Sequence, residues 1–327
     1  MAPPRPLSIH PLLRPMLRLV PDGTRIRFMR GRIMGLVVSA VLSTASVILF
    51  FHPGLNLGID FSGGVVMQVR TPGPADFARL RAALVAARVG EQGVQRFGDP
   101  SEVLIRLQSQ PDEKATEVAV SKVRQALDQA EPGTKILRTD AVGASVSSEL
   151  FRAGMFALGI SLLMILVYIW VRFEWQFAVG AVVTLVLDVT KAIGFLALTR
   201  LEFDLVMVAA ILTILGYSTN DKVVVYDRVR ENLRKYKSMP LRDLIDLSIN
   251  ETLNRTLGTS MTVFLAALPL ALFGGQTLSG FAWTMLFGIV VGTSSSIFIA
   301  APILLFLGEN RLRRDTQAVI RAKAPAA

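Results

Sequence analysis

GYSTNDKVVVYDRVREN, residues 216–232, closes an apolar run that begins near Leu205. Asp221 lies inside that run. A carboxylate at the centre of a membrane-spanning helix costs roughly 2.5–3.5 kcal/mol by insertion scales, so a chain that places one there gives it a partner or a use. The candidate partner is Arg255, which opens the next apolar run, RTLGTSMTVFLAALPLALFGG. One helical turn away from Asp221 lie Tyr217, Ser218, Val224 and Val225, none of them basic. Lys222 stands about 100° round the helix. Asp221 therefore finds its partner on another helix, holds a proton, or touches water. The polar run 217–220 beside it suggests a hydrated patch.

The composition agrees with a membrane location. The chain has 327 residues, 52% of them hydrophobic and 18% charged, with a mean hydropathy of +0.49. The net charge of +10 points to cytoplasmic loops and anionic lipid headgroups, and no nucleic acid partner is expected. With no cysteine, disulfides, iron–sulfur clusters and thiolate zinc sites are excluded. The two histidines, His10 and His52, lie outside the apolar runs, so no metal site or His relay inside the membrane is expected.

Residues 1–32 carry seven Arg, six Pro and one acid, and are expected to form a cytoplasmic N-terminal segment, its first 15 residues disordered or lying on the membrane. The run at 33–51 is long enough to span, too long for a signal peptide, and followed by no small-residue cleavage site. It reads as an uncleaved anchor. Five further runs, at about 151–171, 176–199, 205–226, 255–273 and 281–307, make a bundle. Bases concentrate in 228–254 and in the tail 308–327, whereas 274–280 has no charge and 200–204 a single Arg. The positive-inside rule then puts both termini and the loop 228–254 in the cytoplasm, and residues 52–150 outside. Six spans require the same topology. In the loop, Pro240 opens a helix-like stretch with Leu241, Leu244, Ile245, Ile249 and Leu253 on one face, for packing on the membrane surface or bundle, or for docking a partner.

Residues 52–150 hold 11 Lys/Arg and 12 Asp/Glu and are soluble in composition. Strands are predicted at 65–70, 94–97, 103–107 and 135–142. Helices are predicted at 75–89, with Phe77, Leu80, Leu84, Val85 and Ala87 apolar, and at 112–129, with Val118, Val120, Val123, Ala126 and Leu127 apolar. This β-α-β-β-α-β order is a ferredoxin-like split βαβ arrangement.

Four ionisable side chains interrupt the spans: Asp188, Lys191, Asp221 and Lys222. Lys191 follows Asp188 by three residues and shares its helix face, so a local ion pair is one reading of them. For Asp221 two readings stay open. If a mobile Arg255 governs its charge, it is a proton-binding switch, and losing the Arg favours the protonated form; otherwise it is a static bridge between two spans. Gly288 and Gly292, followed by Thr293, Ser294, Ser295 and Ser296, mark a close helix contact. No nucleotide-binding loop, catalytic triad or catalytic carboxylate pair appears, so the chain does not read as an enzyme and no cofactor is expected. Energy must come from an ion gradient or a partner.

Gly58-Ile59-Asp60-Phe61-Ser62-Gly63-Gly64, directly after the first span, matches the G-x-D-F-x-G-G signature of the SecD/SecF family of protein-export membrane proteins. The segments LRLVPDGTRIRFMRGR, GYSTNDKVVVYDRVREN and LNRTLGTS, and the single short outer domain, resemble the SecF branch. The resemblance runs from about residue 17 to 310. It implies an α-helical membrane protein with six transmembrane helices and a small ferredoxin-like periplasmic domain, in the bacterial inner membrane. It implies pairing with SecD into a twelve-span unit of the RND superfamily, association with the SecYEG channel, and use of the proton motive force on translocating polypeptide after SecA has started it. The family's proton-pathway Asp and Arg fall on Asp221 and Arg255, and its third-span aspartate on Asp188. Lys191 departs from the family pattern and would hold Asp188 charged. Physically, the motif's glycines permit turns and close approach where the chain enters the first strand, and Asp60 is placed to tie the domain base to the bundle, for coupling or for substrate contact. Two other classes fit the residues: a proton-coupled exporter of a small molecule or lipid, for which 99 outer residues are thin, and an assembly scaffold with a static Asp221–Arg255 bridge.

Overall fold

A computed structural model describes residues 20–21, 24–89, 91–110 and 112–307. The segment 1–15 and the tail 308–327 lie outside them. Among the described residues six helices are long and apolar enough to cross a membrane. They are α1 (Arg32–Phe51), α5 (Ala144–Arg172), α6 (Trp175–Thr199), α7 (Leu205–Lys235), α8 (Leu241–Phe273), and a last span made of α9 (Gly275–Ser295), a π-helical turn (Ser296–Ala300) and α10 (Ala301–Phe306). At least half of the apolar stretch of α6, α7 and the last span is buried, against under a fifth for α1, α5 and α8. The first three form the interior and the others wrap it.

The basic stretch 228–254 differs from the expected loop. Helix α7 runs on to Lys235 and α8 starts at Leu241, which leaves residues 236–240 as the turn. The charges there mark the edge of the apolar layer, not the end of the helices. Arg228 meets Glu251 at 2.8 Å, and Asn232 donates to Ser248 at 3.0 Å and to Glu251 at 2.7 Å. Leu241, Leu244, Ile245, Ile249 and Leu253 are buried in the bundle core, and Asp246 of the same helix accepts from Met29 N at 2.8 Å just before α1. Their apolar face is covered by this chain itself.

Between α1 and α5 the chain builds β1 (Asn56–Leu57), α2 (Ile59–Ser62), β2 (Gly64–Arg70), α3 (Phe77–Ala86), β3 (Glu91–Arg96), β4 (Glu102–Leu107), α4 (Glu113–Ala130) and β5 (Lys135–Val142). The sheet order β3-β4-β2-β5, with every pair antiparallel, is the ferredoxin-like topology. Asp76 and Asp112 cap α3 and α4 by accepting from backbone N–H groups. Alternate residues of β2 and β4 (Val65, Met67, Val69, Val103, Ile105, Leu107) meet Leu80 and Leu84 of α3 and Val123 and Leu127 of α4. Val85 and Val118, read as part of the apolar faces, point to solvent instead. Strand β1 pairs in parallel with β6 (Glu202–Phe203), in the turn between α6 and α7. That contact fixes the domain on the bundle.

Candidate functional site

Asp188 of α6 is the centre of a buried polar cluster. Lys222 of α7 places its Nζ 2.9 Å from Asp188 Oδ2, and both side chains are essentially inaccessible. Ser218 Oγ and Ser295 Oγ each donate to the same oxygen at 2.8 Å, and Lys222 also donates to both serine hydroxyls. Helix packing makes this possible. A side chain at Gly288 would run into Ile214, and one at Gly292 would lie 3.1 Å from Ser218 Oγ, so α7 and the last span touch along these glycines. The partner surface that the G-x-x-x-G spacing implied is thus α7 of the same chain. Lys191 is also buried, but its Nζ stays 3.9 Å from Asp188 Oδ1. The direct partner of Asp188 is Lys222, which sequence spacing could not show, because the two lie on different helices.

Asp221 points about 100° round α7 from Lys222. Its carboxyl is buried beside Thr256 of α8 and Ser296, the first residue of the π turn. Among the described residues its Oδ2 has no hydrogen-bond donor, and the Thr256 hydroxyl is likewise unpartnered. The expected contact with Arg255 is not made. Arg255 is exposed, one position along α8 from Thr256, and among the described residues no ion pair joins it to Asp221. Adjacent positions on α8 turn Arg255 outward and Thr256 inward. One turn further along, Tyr217 OH bonds to Ser260 Oγ, which bonds to Thr293 Oγ1 at 2.8 Å, and so links α7, α8 and α9. The π turn, which has no sequence signature here, carries Ser296 toward Asp221 while Ser295, one residue before, reaches Asp188. Such turns recur at functional sites.

The G-x-D-F-x-G-G stretch sits at the domain base. Gly58 N donates to Phe203 O at 2.9 Å, and Asp60 Oδ2 accepts from Leu205 N, the first residue of α7, at 3.2 Å. Phe61 packs edge-on against Phe151 of α5, with ring centroids 5.5 Å apart, and lies 5.4 Å from Phe203. Gly63 and Gly64 have φ of +67° and +118°, and a Cβ on Gly64 would strike Leu107 O, so only glycine fits there. Arg106 of β4 completes the base with an ion pair to Glu202 and a 3.3 Å hydrogen bond to Leu57 O. Asp204 caps α7 by accepting from Met207 N at 2.9 Å; burial, together with Asp60 and Glu202 nearby, pushes its carboxyl above the usual range. The motif is therefore a structural joint between the outer domain and the start of α7, the helix that carries Asp221 and Lys222.

The chain matches a known protein class. The family profile described as protein export membrane protein SecD/SecF, C-terminal, matches residues 122–310, more than half of the chain. The chain belongs to the SecD/SecF family. The SecD/SecF GG-motif profile matches residues 48–71, the joint just described. The protein translocase subunit SecF of Rhodobacter capsulatus is 44% identical over 308 residues, covering 90% of this chain and 92% of the relative. That of Rickettsia rickettsii is 44% identical over 309 residues, covering 94% and 98%. Two solved SecDF structures share the fold. A translocon-associated SecDF from Thermus aligns over 87% of this chain with a TM-score of 0.78 and 31% identity. SecDF in a super-membrane-facing form aligns over 94% with a TM-score of 0.63 and 30% identity. The chain spans about two fifths of the length of either SecDF chain.

Proposed function

We propose that this chain is the SecF-type auxiliary subunit of the Sec protein translocase, and that with a SecD partner it uses the proton motive force to promote polypeptide movement across the bacterial inner membrane. The SecYEG channel is the third partner, SecA acts upstream, and lipids surround the exposed faces of α1, α5 and α8. In this reading both termini and the 236–240 turn are cytoplasmic and the ferredoxin-like domain lies on the outer side, as the basic residues around that turn favour.

The observation that carries the proposal is the contrast between two buried aspartates. Asp188 is neutralised by Lys222 and two hydroxyls, whereas Asp221 has an unpartnered oxygen and, among the described residues, no ion pair. Asp188 holds α6, α7 and the last span together. Asp221 can take up a proton while Arg255 is away and release it when a shift of α8 brings Arg255 in. Passage of one proton across 100 mV supplies roughly 2.3 kcal/mol, which changes a two-state equilibrium more than tenfold. Because Asp60 binds the first residue of α7 and Arg106 grips Glu202 just before it, movement of α7 reaches the outer domain directly.

The test is precursor maturation in cells depleted of this chain and complemented with Asp221→Asn at native membrane levels. Accumulation of precursors as in depleted cells is the expected result. Normal export would remove Asp221 from proton coupling and leave a scaffold.

A further inference from the structure

Three charges meet in the bundle interior, and two of them are cations. Lys222 and Asp188 make a close, hydrogen-bonded pair that is neutral by itself. Lys191 is left over. Among the described residues its single ion-pair contact, at 3.9 Å, is too long for a hydrogen bond, and the oxygen it faces, Asp188 Oδ1, has no donor. With an ammonium on Lys191 the cluster carries one net positive charge; with an amine it carries none.

Lys191 also lines a crevice of about 250 Å³ between α1 and the last span. The crevice begins at Gly31, just before α1; Ser39, Lys191, Ser294 and Ser295 form a polar strip along a wall otherwise made of apolar side chains such as Val38, Leu42 and Phe298. Along α1 the residues facing it recur every fourth position, and Ser43 and Ser46 continue the same face toward α6, where Gly194 leaves room for Ser46. Ser39 and Ser43 are more than nine-tenths buried, yet neither hydroxyl has a partner among the described residues. Elsewhere in the bundle Thr184, Thr190, Thr213 and Thr219 return their hydroxyls to a carbonyl of their own helix. A buried polar group left unpaired costs about 1–3 kcal/mol. Ser39 borders the crevice together with the under-compensated Lys191, and water in the polar strip would satisfy both.

We propose that this crevice is a hydrated side entry from the cytoplasmic face and that Lys191 is a second proton-exchanging group of the bundle. In the exchange the Lys191 ammonium gives its proton to a crevice water, leaving an amine and a hydronium ion; no other bond changes. Facing Lys191 are Asp188 on its own helix, Lys222 from α7, Ser295 from the last span and Ser39 from α1; Asp221 points about 100° round α7 from Lys222. The proposal rests on the proton-coupled reading of the bundle and adds an inner port to it.

The chain has no cysteine, so a single introduced thiol reports access. Ser39→Cys and the outward-facing Val41→Cys, each in the full complex in inverted inner-membrane vesicles, are treated with a membrane-impermeant charged methanethiosulfonate. Ser39→Cys is expected to react at least tenfold faster. Lys191→Arg, whose charge is permanent, and Lys191→Met, which has none, are each expected to lose at least fivefold of the gradient-driven stimulation of export, at native membrane levels. Equal labelling rates overturn the side entry whatever Asp221→Asn does. Full gradient stimulation in either Lys191 variant overturns the exchange role while leaving the Asp221 reading intact; normal export in Asp221→Asn is the separate failure of that reading.

Discussion

Replacing Lys222 with Met removes the cation from Asp188 and keeps nearly the same shape. Lys222 is fully buried, so no solvent takes its place. Breaking a buried pair by deleting one partner costs about 3–5 kcal/mol. Asp188 keeps the hydroxyl donors Ser218 and Ser295 and a distant Lys191, which places Lys222→Met near the lower end, about 3 kcal/mol. Asp188→Asn instead leaves two buried ammoniums facing each other and falls near the upper end, about 5 kcal/mol. The double variant has neither charge of the pair. Replacement of a whole buried pair by neutral groups is often close to neutral, so the double variant is expected to be more stable than either single, with a coupling of at least about 2 kcal/mol. The assay is equilibrium unfolding of the full chain in mixed micelles, followed by fluorescence of Trp170, Trp175 and Trp283. A Lys222→Met chain within about 1 kcal/mol of native, or a double variant no better than the worse single, would refute the view that this pair holds the three interior spans together.

Asp221→Asn, by contrast, removes no ion pair and no donor from Oδ2; its unfolding midpoint in the same assay should stay close to native while export fails. Gly288→Leu drives a side chain into Ile214 and is expected to cost about 1–3 kcal/mol or more through overpacking, seen as a lower melting temperature. In the outer domain, the hydrogen bond from Arg70 holds the Glu102 carboxyl below its usual range, with Gln68 adding a second. A carboxylate lowered on folding stabilises above its unfolded value, about 4.3, and loses that contribution as pH falls through the lower folded value. Protease resistance of the domain in the intact chain should therefore be level from neutral pH to about 5 and drop below about 4. Glu102→Gln should flatten that drop. The effect is small, because Arg70 is half exposed.

Much of the architecture was legible in the residues. Apolar runs of membrane length announce spans because bilayer thickness sets their length, and period-two and period-3.6 patterns in 52–150 announce the ferredoxin-like order. The helix ends were less legible. Bases at 228–235 signal departure from the apolar layer, while the backbone stays helical through them. The outward Val85 and Val118 show the limit of periodicity: an apolar residue at the edge of a helix face is buried only if something covers it. In the site, the spacing of Asp188 and Lys191 offered a local pair, and the depth of Arg255 offered a partner for Asp221. Neither contact is the closest one formed.

The sequence by itself determined which residues are costly in a membrane, that Asp221 and Lys222 face different sides of one helix, and where glycines let helices touch. These follow from helix geometry and from the free energy of burying charge, both local properties. Only the tertiary structure decided that Lys222 belongs to Asp188, that Thr256 and not Arg255 meets Asp221, and that Lys191 borders a crevice along the serine face of α1. Those outcomes depend on which turn of one helix lies against which turn of another, and that register is set by packing such as Ile214 against Gly288 and Ser46 against Gly194, summed over the whole bundle.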